Sequence, residues 1–101
     1  MPAAYIIVDM QISDLEQYKQ YMAQAPAAVK AAGGEYLVRG GRCETLEGDW
    51  QPGRVAMLRF PSFDAAKAFY DGEMYRAARA KRAGATEFFN LILVEGVPAP
   101  V

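Results

Sequence analysis

At 101 residues the chain has the length of one domain, and 52% hydrophobic residues are enough for a single core without metal or disulfide staples. A net charge of -1 gives it no global attraction for nucleic acid or an anionic membrane. It contains no histidine, which removes Ser-His-Asp and Cys-His nucleophile systems, histidine-ligated zinc and a proximal-histidine haem.

Proton transfer is then left to Asp, Glu, Tyr, Lys, Cys or the substrate itself, and no cofactor or metal is expected. Cys43 is the single cysteine, so no intrachain disulfide forms and a reducing compartment fits. The first apolar run, residues 4–12, lacks a basic segment before it and a cleavage site after it, and it is too short to span a bilayer. A cytoplasmic protein without a membrane partner is the expectation.

"AYIIVDMQI" (4–12) reads as a buried strand, rich in β-branched and aromatic residues. "SDLE" follows, a capping-box pattern with Ser13 as N-cap and Glu16 at N3. Leu15, Tyr18, Met22, Ala25 and Val29 then recur at helical spacing; Pro26 predicts a kink or restart, and Gly33-Gly34 are left-handed cap candidates. Residues 35–47 read as a strand interrupted at Gly40-Gly41. Pro52-Gly53 suit a type II turn, and "RVAMLRF" (54–60) is a third strand. Ser62 caps "FDAAKAFY", Asp71-Gly72 break that helix, and "EMYRAARAKRA" begins another. "TEFFNLILVEG" (86–96) is the fourth strand. One domain over 1–97 and a Pro-containing tail over 98–101 are expected.

The order β-α-β-β-α-β is the ferredoxin-like arrangement, an α+β fold with a four-stranded antiparallel sheet and helices on one face. Ile6, Val8 and Met10 lie on one side of the first strand, with Tyr5 and Ile7 on the other. In the fourth strand Phe88, Ile92 and Val94 oppose Phe89, Leu91 and Leu93. Both sheet faces are apolar and the chain's own helices cover one, so a homodimer is predicted to cover the other.

"AAGGEYLVRGG", "LEGDWQPGRVAMLRFPS", "AFYDGEMYRAARAKR" and "LVEG" resemble the family of domain of unknown function 1330, over about residues 3 to 97. The specificity lies in the order and spacing of RGG, LEG-x-W, FPS, Y-x6-R and VEG. The resemblance implies a dimeric α/β barrel in which two ferredoxin-like sheets pack together, with a small pocket between sheet and helices in each protomer. It implies no established reaction. Relatives often carry Pro-Glu-Tyr where this chain has Glu73-Met74-Tyr75, and many carry His where it has Ala32.

Tyr75, Arg79 and Arg82 share one helical face and fall on positions that recur in that family. They read either as a clamp for a carboxylate or enolate, or as a solvated basic face pairing with Glu73 or Asp71. Asp9, in the first strand, and Arg59, in the third, are expected to meet because those strands are read as parallel neighbours, as an ion pair or with Asp9 as a general base. Asn90 reads as a lining residue of the same cavity or as a satisfied core amide. Arg39 precedes Gly40-Gly41, where a bulge can re-aim it toward the pocket or the dimer seam. Glu47 and Glu95 are second-rank acid/base candidates, Trp50 a packing residue, and Cys43 a buried or edge-strand thiol.

By analogy of fold, these residues suit a cofactor-independent enzyme of monooxygenase or isomerase type acting on a small anionic molecule. Arg39, Tyr75, Arg79, Arg82 and Asn90 are its substrate-binding candidates, and Asp9 and Glu95 its candidate bases. A non-catalytic dimer that binds a metabolite or a partner protein is the alternative.

Overall fold

The computed structural model describes residues 2–98. Seven elements follow in chain order: β1 (Ala4–Ile12), α1 (Leu15–Ala31), β2 (Glu35–Arg39), β3 (Arg54–Phe60), α2 (Phe63–Asp71), α3 (Glu73–Lys81) and β4 (Thr86–Glu95). The four strands form one antiparallel sheet in the order β2-β3-β1-β4, the ferredoxin-like topology. The expected tail reaches, from residue 99 on, outside the described residues.

Strand alternation decides which side chains enter the core. Ile6, Val8 and Met10 of β1 are 2–5% exposed and pack with Leu58 and Phe60 of β3 beneath the helices. Tyr18, Ala25, Ala28 and Val29 of α1, Ala66 and Phe69 of α2, and Tyr75 and Ala78 of α3 close the core from above. The least extent of the molecule, 17 Å, is that of one helical layer on one sheet. The opposite sheet face stays open, with Ile92 55% and Val94 44% exposed.

Local chemistry sets the element ends, in part differently from the sequence expectation. Asp14, not Ser13, caps α1 by accepting from the Gln17 amide at 3.1 Å. Ser13 and Asp14 instead donate their own amides to the Ala85 carbonyl, which pins the start of α1 beside β4. The Gln17 side chain donates to the carbonyls of Lys81, the last residue of α3, and Ala83 just beyond it, acceptors the helix leaves free. α1 runs through Pro26 without a restart, because tertiary packing holds the turn on both sides. It ends in a Schellman motif: Gly33 has φ +78°, its amide reaches the Lys30 carbonyl, and the Gly34 amide reaches that of Val29. Ser62 caps α2 as expected, accepting from Ala65 at 3.0 Å, and Gly72 separates α2 from α3.

Three further expectations are corrected. β2 stops at Arg39, and residues 40–53 carry no helix or strand. Gly53 does not have the positive φ that a type II turn requires; Gly48 does. β1 and β3 run antiparallel because β1 and β2, joined by a helical crossover, share a direction that the β2–β3 connection reverses. Asp9 therefore sits opposite Val55, and Arg59 opposite Tyr5. Four residues of strand, about 14 Å, separate the two along the ladder, and Arg59 pairs with Glu35 at 3.4 Å instead.

Candidate functional site

A narrow cavity of about 40 Å³ lies between the sheet and α1, closed by α2 and α3 at its inner end. Its apolar walls come from Ile6, Val8, Met10, Leu58 and Leu91 on the sheet side and from Met22, Val29 and Phe69 on the helices. Its polar groups are four tyrosines, Tyr18, Tyr21, Tyr36 and Tyr75, and two arginines, Arg39 and Arg54. No aspartate or glutamate lines it.

A strand irregularity brings Arg39 to this cavity. Tyr36 pairs with Leu58, but the register shifts between Tyr36 and Val38, so that Arg39 pairs with Ala56. One extra residue in β2 turns Arg39 from the open face to the helix face. The bulge thus lies at Leu37, before the glycines rather than at them. Arg39 stacks on the Tyr36 ring, with its Cζ 4.6 Å from the centroid, and its Nη2 donates to the Met22 carbonyl at 3.5 Å. That carbonyl is available because Pro26, four residues on, has no amide proton to give it. The proline in α1 and the bulge in β2 therefore meet in one contact across the mouth.

Arg54 begins β3 with the parity of Ala56 and Leu58, and so points to the helix side. Its guanidinium packs against Gly40, where a Cβ would lie 2.6 Å from Arg54 Cζ. Gly40 also has φ +72°, so both space and backbone favour glycine there. None of the three salt bridges among the described residues involves Arg39 or Arg54. Sequence reasoning missed Arg54; its place two residues before Ala56, on the parity of the buried Leu58, was the signal that could have found it.

Tyr18, Tyr21 and Tyr75 form a connected floor, while Tyr36 lies under Arg39. Tyr21 and Tyr75 hydroxyls are 2.8 Å apart, and the Tyr21 ring meets Tyr18, Tyr75 and Phe89 at centroid distances of 5.1, 6.1 and 6.4 Å. Burial pushes the Tyr18 phenol up to about 12, against the opposing pull of Arg82 and Arg54. Burial raises Tyr21 further, helped by the nearby Tyr75 and the hydrogen bond to it. Burial also raises Tyr36, with Arg39 opposing. These phenols stay protonated at neutral pH and act as hydrogen-bond donors.

The other predicted residues are dispersed. Arg79 and Arg82 do not line the cavity with Tyr75. Arg79 lies over the rings of Tyr70 at 4.3 Å and Tyr75 at 5.7 Å, and Arg82 over Phe89 at 3.5 Å and Tyr21 at 5.3 Å. The Nε of Arg82 is buried with no hydrogen-bond partner among the described residues. Asp9 and Asn90 are register partners, but on the open sheet face. There Asp9 accepts from Trp50 Nε1 at 3.0 Å and from the Gly53 amide at 2.8 Å. Glu95, opposite Ala4, stands at the far end of the sheet beside the start of α2. Glu47 and Cys43 are exposed in the segment after β2, so the thiol is neither buried nor on an edge strand. Among the described residues no three potential metal ligands converge, and no helix is long and apolar enough to cross a membrane.

A split βαβ sheet with a donor-lined cavity under its helices defines an α+β protein of ferredoxin-like fold. Within that class the chain belongs to the family described as domain of unknown function (DUF1330), which it matches over residues 3–97. Solved structures agree on the fold. A protein of unknown function from Rhodopseudomonas palustris, RPA0582, has a TM-score of 0.77 at 19% identity, over 95% of this chain and 83% of its own. A protein from Caulobacter crescentus CB15, described as a candidate antibiotic biosynthesis monooxygenase, has a TM-score of 0.64 at 16% identity, over 95% and 91%. A dimeric ferredoxin-like protein of unknown function from Jannaschia sp. CCS1 also reaches 0.64, at 11% identity, over 94% and 98%. No curated protein matches the chain.

Proposed function

We propose that this protein is a dimeric α/β barrel that binds a small anionic molecule in the cavity between the sheet and helices of each protomer. One observation carries the proposal: the charged groups on the cavity wall are Arg39 and Arg54, with four tyrosines and no carboxylate. Two guanidiniums without an ion-pair partner among the described residues favour an anion, and arginine offers a carboxylate two parallel hydrogen bonds. Dimerisation is supported by the exposed apolar face with Ile92 and Val94, and by the dimeric description of the Jannaschia protein.

Chemistry in such a cavity would be cofactor-independent, of monooxygenase or isomerase type, with the tyrosines and arginines stabilising an oxyanion of the substrate. The description of the Caulobacter protein supports that class. Asp9 and Glu95 lie away from the cavity, so the proton acceptor would be solvent or the substrate's own basic group. A second reading, a non-catalytic metabolite binder, is favoured by the absence of any carboxylate on the wall.

A thermal-shift screen of small acids and their neutral amides tests binding, on the wild type and on Arg54→Gln. Acids should raise the wild-type midpoint and raise that of the variant less. If amides stabilise as well as acids, the anion proposal is wrong. Each hit is then incubated with the protein in aerobic D₂O and followed by NMR. Oxidation or deuterium exchange supports an enzyme, and an unchanged bound ligand supports the binder.

A further inference from the structure

Tyr21 and Tyr75 both line the cavity, and their hydroxyl oxygens are 2.8 Å apart. Each hydroxyl brings one proton. One proton is taken up within the pair, and neither oxygen has another hydrogen-bond partner among the described residues. The remaining proton is therefore available to whatever fills the cavity. The Tyr18 hydroxyl, on a side chain 3% exposed, likewise has no partner among the described residues. At the mouth, Arg39 and Arg54 can only donate. A molecule that satisfies this wall has to bring at least two acceptors, one of them anionic.

Volume narrows the class further. A cavity of about 40 Å³ holds about three waters, and a site that accepts a benzene ring is nearer 150 Å³. With the carboxylate held by the arginines at the mouth, about three or four further non-hydrogen atoms fit inside, as in a 2-oxo acid of three or four carbons, whereas the six-membered ring of an aromatic acid does not. We propose that it takes a short-chain carboxylate of about three or four carbons bearing a second oxygen acceptor, a 2-oxo acid or its enolate. Arg39 and Arg54 hold the carboxylate, and the Tyr21–Tyr75 pair donates a hydrogen bond to the second oxygen. This rests on the anion-binding reading above and adds the size and the second acceptor.

Titration calorimetry on the full chain with pyruvate, propionate, benzoate and inorganic phosphate tests it. Pyruvate should bind roughly tenfold more tightly than propionate, which matches its size and lacks the oxo group. The double variant Tyr21→Phe/Tyr75→Phe should bind the two alike, and Arg54→Gln should weaken both. Circular dichroism checks that the double variant is folded, and the wild-type comparison stands without it. Equal affinity for pyruvate and propionate, or tighter binding of benzoate, overturns the proposed class while leaving anion binding intact. A pyruvate preference that survives in the folded double variant overturns the role of the tyrosine pair. If none of the four anions binds, the anion-binding reading itself fails.

Discussion

Asp9 uses both carboxylate oxygens to hold the segment after β2: Oδ2 accepts from the Trp50 indole at 3.0 Å, and Oδ1 from the Gly53 amide at 2.8 Å. Thr45 adds a local brace by donating to the Trp50 carbonyl at 2.7 Å. Residues 40–53 have no ladder of their own beyond the Gly40 amide on the Val55 carbonyl, so the carboxylate is their main anchor to β1. Hydrogen bonds to a charged acceptor are worth about 1.5–3 kcal/mol when buried, and less at this half-exposed position.

Asp9→Ala should therefore lower stability by about 1–2 kcal/mol, and Asp9→Asn by less, since an amide oxygen can still accept from one donor. Urea denaturation reads the loss. Hydrogen exchange at the Gly53 amide should accelerate in the alanine variant. An unchanged midpoint with unchanged Gly53 protection would show that the anchor is immaterial.

Gly34 is required by contact rather than by backbone conformation. A Cβ there would lie 2.6 Å from Cε2 of Phe60, a side chain that is fully buried and cannot yield. Gly34→Ala should cost about 1–3 kcal/mol as an overpacked core substitution. Gly41→Ala is the control: nothing lies within 4 Å of its Cβ position, and a surface change of this kind stays within about 0.5 kcal/mol. Thermal midpoints of the two variants should separate clearly, and a Gly34→Ala midpoint equal to that of Gly41→Ala would contradict the close approach.

Alkaline pH acts on the tyrosine floor. Burial raises Tyr18 to about 12 from an ordinary value of 10.0, and raises Tyr21 and Tyr36 as well. The folded state thus holds these protons more tightly than the unfolded chain. Their contribution to stability is complete below pH 10 and falls as pH rises through the folded values. Stability should be flat in this respect up to about pH 9 and decline steeply from about pH 10 to 12. Absorbance of tyrosinate should show the Tyr18, Tyr21 and Tyr36 phenols ionising only above 10 and together with unfolding. Six tyrosines ionising together near 10, with the fold intact, would refute the buried floor.

Much of the fold is legible in local pattern. Alternation in β1 and β4 assigns Ile6, Val8 and Met10 to the core and Ile92 and Val94 to the open face, because side-chain direction in a strand follows parity alone. The site is less legible, since it depends on events that parity does not record. The bulge at Leu37 carries no glycine or proline to announce it, yet it decides that Arg39 faces the cavity. The link from Pro26 to Arg39 runs through a backbone carbonyl, visible once α1 and β2 are side by side. Arg79 and Arg82 stand three residues apart at the end of α3, the latter as its C-cap, but aromatic rings of α2, β4 and α1 occupy their guanidinium faces. Helical spacing alone gives no sign of those neighbours.

The open sheet face yields the last prediction. Ile92 and Val94 of β4 are 55% and 44% exposed, and they continue across the sheet to Tyr5 and Ile7 of β1 and Val55 and Met57 of β3. In the proposed dimer a lysine at the centre of this face would be held against apolar side chains of the second sheet, and an unpaired buried charge costs several kcal/mol. Ile92→Lys should therefore convert a dimer into a monomer, with the light-scattering mass falling from twice the 11.1 kDa chain to once. Lys67→Glu, an exposed change on α2 that removes the surface pair with Asp71, should leave the mass at twice the chain. The cavity is on the helix side, so the monomeric variant should still bind the acids that stabilise the wild type. A wild type that is monomeric at micromolar concentration would instead mean that this face is covered by something other than a second copy.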